Sequence, residues 1–72
     1  MVDTKKLKAA IIERGCQIED VAEAAGMVKS TLYRRISSGG GAFTLAEVEK
    51  IGLFLNLSAE RLNDIFFAHY VA

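Results

Sequence analysis

Apolar residues recur along this chain at steps of three and four, the spacing of one face of an α-helix. Leu7, Ala10 and Ile11, continued by Arg14, predict a first helix over 4–14, with Asp3 or Thr4 capping its start and Gly15 ending it. Ile18, Val21, Ala22 and Ala25 form the next stripe and predict a short helix over 18–25, stopped at Gly26. Glu19 and Asp20 stand in its first turn, where carboxylates favour the positive end of the helix dipole. Leu32 and Ile36, four apart, predict a third helix over 29–37, its other sides covered by Lys29, Ser30, Tyr33, Arg34 and Arg35. After the loop "SSGGGA", Thr44 and Glu47 have capping-box spacing and open a fourth helix with an apolar face of Leu45, Val48, Ile51 and Leu55. Asn56, which tolerates the left-handed conformation, stops it, and Ser58 caps a fifth helix carrying Leu62, Ile65 and Phe66. Only the tail "FFAHYV" has a composition that could pair as a strand. The pattern predicts one all-α domain of five helices.

Composition sharpens this picture. Seventy-two residues with 51% apolar content make one small folded domain over 1–72 rather than a disordered linker. The N-terminus is amphipathic and charged throughout, with no signal-peptide pattern, and no apolar run approaches the ~20 residues that span a bilayer. A cytoplasmic protein without membrane attachment is the expectation. Cys16 has no second cysteine to pair with and reads as a free, half-buried thiol. With one Cys, one His (His69, read as a surface residue) and no metal-ligand spacing, neither enzyme chemistry nor a metal is expected, and no cofactor. The run Gly39–Gly41 lacks the Lys-Ser/Thr partner of a nucleotide-phosphate loop and reads as a connector.

The net charge is zero, but the charges fall in blocks of alternating sign. Residues 1–14 carry +2, 15–25 carry −3, 26–43 carry +3 and 44–72 carry −2. The basic block lies on the third helix, directly after the turn at Gly26. A helix, a tight turn holding glycine and a second helix form a helix-turn-helix arrangement, here over about 18–37. Its residue sizes suit that reading. Ala22 is small where the helices approach, Gly26 supplies a positive φ, and Leu32 packs back toward the preceding helix.

The stretch "IEDVAEAAGMVKSTLYRRI" resembles the helix-turn-helix of the Cro/C1-type phage repressor family, through Val21, Ala22, Gly26, Met27, Ser30, Thr31, Leu32 and Arg34. "LKAAIIERG" looks like that family's first helix and "FTLAEVEKIGLFLNLSAERLNDIF" like its last two, so the likeness spans roughly 5–67. Four departures stand out. Val28 replaces the usual Ser/Thr cap, Gln17 the usual Thr, Arg35 an apolar residue whose place Ile36 can take, and "SSGGGAF" a basic loop.

The resemblance implies a five-helix lambda-repressor-like DNA-binding domain, close to the stand-alone Cro-like regulators of prophages. It implies that the third helix enters the major groove of a double-stranded operator, with Val28, Lys29, Ser30, Tyr33 and Arg34 at the DNA and Arg35 as a further cation. Arg34 or Lys29 would read guanine, Val28 would touch a thymine methyl, and Tyr33 would reach a phosphate or base. Lys5, Lys6 and Lys8 would add phosphate contacts if the first helix faces the same way. Such modules bind as dimers, and the apolar tail offers Phe67, Tyr70 and Val71 as the contact, with Phe66 either joining them or completing the core. The alternative is a non-catalytic protein-interaction module on the same fold, such as an antirepressor, which the zero net charge and the acidic second helix favour. No small-molecule ligand is expected.

Overall fold

The computed structural model describes residues 2–38 and 43–67, which form five α-helices and no strand. They are α1 (Thr4–Arg14), α2 (Ile18–Ala24), α3 (Lys29–Ser37), α4 (Leu45–Phe54) and α5 (Ala59–Phe66). No helix among the described residues is long and apolar enough to cross a membrane.

The helix starts follow side-chain capping. The Asp3 carboxylate accepts the Lys6 N–H (3.1 Å), and the Ser58 hydroxyl accepts the Arg61 N–H (3.1 Å). At α4 the box is reciprocal: Thr44 Oγ1 accepts the Glu47 N–H (3.1 Å), and the Glu47 carboxylate accepts the Thr44 N–H (2.9 Å). Gln17, at the start of α2, donates its backbone N–H to the Asp20 carboxylate (2.8 Å).

Three helices end in one way. Gly15 (φ 76°), Gly26 (φ 76°) and Asn56 (φ 55°) adopt the left-handed conformation. In each case this residue and the next turn their N–H groups back onto the last carbonyls of the helix. Gly26 donates to Glu23 (3.0 Å) and Met27 to Ala22 (2.9 Å); Asn56 donates to Leu53 (3.2 Å) and Leu57 to Gly52 (2.9 Å). The residue after the left-handed turn is Cys16, Met27 or Leu57, and each of these packs, partly buried, against the core. Cys16 is thus a hydrophobic stop, and it is half-buried as its sequence context implies.

Leu7, Val21, Leu32 and Ile51 are fully buried, and Ala22, Ile65 and Phe66 nearly so. α2 packs against α3 and α4, and α1 against α5. The Asp3 N–H donates to the Ile65 carbonyl (2.7 Å), tying the first described residues to the last helix. Phe66 belongs to the core, edge-on to Phe43 at 5.8 Å between centroids.

Two sequence expectations need correction. α2 closes at Ala24, although Ala25 is buried. Leu45 does not belong to the apolar face of α4: it is 75% exposed, because as the first residue of the helix it projects beyond the stripe that Val48, Ile51 and Leu55 bury.

Candidate nucleic-acid interface

α3 is sorted by its period. Leu32 and Ile36 point into the core, and Ile36 supplies the apolar anchor that Arg35 lacks. The exposed residues of α3 are Lys29, Ser30, Tyr33, Arg34 and Ser37, at steps that keep them on one face of a helix. Val28 precedes them in an extended conformation (φ −79°, ψ 154°) and is 66% exposed. Its side chain cannot cap, so the start of α3 has no side-chain cap. Thr31 is half-buried at the edge of the face.

The three cations of α3 differ in what surrounds them. Lys29 Nζ lies 3.3 Å from the Glu19 carboxylate of α2 and 5.6 Å from the centroid of the Tyr33 ring. Arg34 is exposed, and its guanidinium has no ion pair or hydrogen bond with any described residue. Arg35 turns the other way. Its guanidinium pairs with Glu47 and lies 5.6 Å from the centroid of Phe43.

Glu47 therefore accepts both the Thr44 N–H and the Arg35 guanidinium. The Thr44 backbone hydrogen bond, reinforced by Arg35 and only partly opposed by burial, holds the Glu47 carboxyl below the usual carboxylate range. Arg35 joins the end of α3 to the start of α4 and does not lie with the exposed side chains. Nothing in its sequence neighbourhood signals this, since the partner is twelve residues away.

Elsewhere three of the six described cations are engaged, and Lys50 on α4 is exposed. Lys6 pairs with Asp64 (2.8 Å), a hydrogen bond that raises its ammonium pKa. Arg61 forks onto Glu13 (3.0 and 3.4 Å), and Arg14 donates to the Phe54 carbonyl (3.3 Å). Lys5 and Lys8 are exposed on α1. Among the described residues no cluster of three His, Cys, Asp or Glu side chains could hold a metal ion.

A second surface feature was not anticipated. α4 and α5 enclose an open cleft of about 510 Å³ lined by Val48, Gly52, Leu57, Leu62 and Phe67, with exposed Leu45 and Leu53 on its margin. The helices close in at Gly52, where an added Cβ would meet Leu62 Cδ1 at 2.7 Å. Phe67 is half-buried against the core at this cleft. The other proposed contact residues, Tyr70 and Val71, lie outside the described residues, as do His69 and Gly39–Gly41. Comparison of the chain with protein-family models, with curated proteins and with solved structures gives no match.

Proposed function

We propose that this chain is a sequence-reading DNA-binding regulator of the Cro-like kind, in which α2 and α3 act as a helix-turn-helix and α3 enters the major groove. The observation that carries the reading is Arg34: an exposed guanidinium without a partner among the described residues, on the face shared with Val28, Lys29, Ser30 and Tyr33. A guanidinium in that state can donate two parallel hydrogen bonds to O6 and N7 of guanine. Lys29 neutralises a phosphate, Val28 meets a thymine methyl, and Ser30 and Tyr33 supply hydroxyl groups to base edges or backbone. The uncapped start of α3 leaves backbone N–H groups for an anionic neighbour. Arg35 serves behind this face, fixing the helix through Glu47. Regulation follows from occupancy of an operator, which excludes other proteins, and needs no chemistry.

The dimer belongs to the same proposal. Phe67, with Tyr70 and Val71, brings a second copy against the apolar cleft of α4 and α5, so that two reading helices address half-sites about one helical turn apart. That cleft also favours the second reading, a module that binds another regulator through an apolar groove.

Fluorescence anisotropy with labelled duplex at low salt, followed by selection of bound sites from a random pool, separates the readings. Wild type is expected to bind and to enrich a two-fold-related site. Arg34→Ala is expected to lose about 1–3 kcal/mol and to relax the preference at one position of each half-site. Undetectable binding by a folded wild type even at low salt would favour the protein-interaction module.

A further inference from the structure

α2 presents three acids to solvent, and they are not equivalent. Asp20 is occupied by the Gln17 N–H (2.8 Å), and Glu23 has no ion-pair partner among the described residues. Glu19 alone reaches α3, placing its carboxylate 3.3 Å from Lys29 Nζ. The ammonium is held between this acid and the Tyr33 ring, one turn along α3.

Helix electrostatics account for the pair. Lys29 is the first residue of α3, where the positive end of the dipole disfavours a cation. Glu19 lies in the first turn of α2, where an anion is favoured. Both side chains are about half exposed, so the contact is exchangeable rather than locked.

We infer that Glu19 is a built-in competitor for duplex: its carboxylate occupies Lys29 until a phosphate or base edge takes its place. The inference rests on the DNA-binding reading above. Sequence-independent affinity comes from cations meeting phosphates. With Arg35 held by Glu47, Lys29 and Arg34 are the α3 cations that remain, and Glu19 makes one of the two conditional. Weak, non-specific contacts cannot displace the acid as readily as a fitted site can. Glu19 thereby widens the gap between specific and random duplex without touching a base.

The test is a double-mutant cycle of wild type, Glu19→Gln, Lys29→Ala and the double variant, titrated against random-sequence duplex over a range of salt. Circular dichroism checks that each is folded. Glu19→Gln is expected to bind random duplex about three- to tenfold more tightly at low salt, an advantage that fades as salt screens it. Its plot of log affinity against log salt is expected to steepen by about one. In the Lys29→Ala background the same substitution is expected to gain less than about twofold, because the group Glu19 withholds is gone.

A Glu19→Gln variant no tighter than wild type overturns the inference. So does a gain that survives intact without Lys29, which would reflect only the loss of a negative charge. Either result leaves the DNA-binding reading in place if wild type binds duplex and Arg34→Ala binds it more weakly. Absence of binding by all the folded proteins removes that reading, and the competitor role with it.

Discussion

The Glu47 carboxylate receives the Thr44 N–H at the start of α4 and the Arg35 guanidinium from the end of α3. The Glu47 side chain is 17% exposed and that of Arg35 22%, so water weakens this pair less than the half-exposed surface pairs of the molecule. Glu47→Gln keeps the reciprocal cap, which Gln also makes, and loses the charge. At neutral pH it is expected to lower stability by about 1–2 kcal/mol, measured by urea unfolding. The pH dependence has a fixed sign. A carboxyl held below its unfolded value in the native state contributes stability above that unfolded value, and the contribution is lost as pH falls through the folded one. Wild type and Glu47→Gln are therefore expected to converge in stability only as pH falls below the ordinary carboxylate range. The sequence marked Lys29, Arg34 and Arg35 alike as candidate DNA contacts. Which of them is free depends on Glu19 and Glu47, ten and twelve residues away on other helices, and no local spacing encodes that.

The helices themselves were largely legible, because their ends are written in local chemistry. Asp3, Thr44 with Glu47, and Ser58 start helices by accepting N–H groups three residues on. Gly15, Gly26 and Asn56 stop them through a positive φ. What local chemistry omits is the partner of each face. Leu45 obeys the period of α4 yet lies outside, on the margin of the α4–α5 cleft. The use of Gly52 emerges only with Leu62 beside it, where an added Cβ would meet its Cδ1 at 2.7 Å. At Gly26 an added Cβ would meet nothing within 4 Å, so the cost of Gly26→Ala is the backbone conformation alone. Chemical denaturation is expected to show a loss of about 1–2 kcal/mol, with Gly26→Asn milder because Asn tolerates this region better.

For the molecule as a whole, the electrostatic and apolar surfaces divide between elements. The face of Lys29 and Arg34 belongs to α3, and the apolar cleft to α4 and α5. A carboxylate at the margin of the cleft should disturb self-association without touching α3. If the proposed dimer forms, Leu53→Glu is expected to shift it toward monomer in analytical ultracentrifugation. Ile12→Glu, at an equally exposed leucine-sized position on α1, is expected to leave the association state unchanged. A wild type that is monomeric at all concentrations would remove the dimer from the proposed function. The Asp3 to Ile65 hydrogen bond, supported by the Lys6–Asp64 pair, makes the described chain nearly a closed ring. A short linker from residue 67 to residue 2, with new ends opened between α3 and α4, is expected to keep the five described helices and the contacts between them. Only the order in which the contacts can form would change. The described helices are thus suited to circular permutation, which would turn the connection after α3 into a point where other protein modules could be grafted.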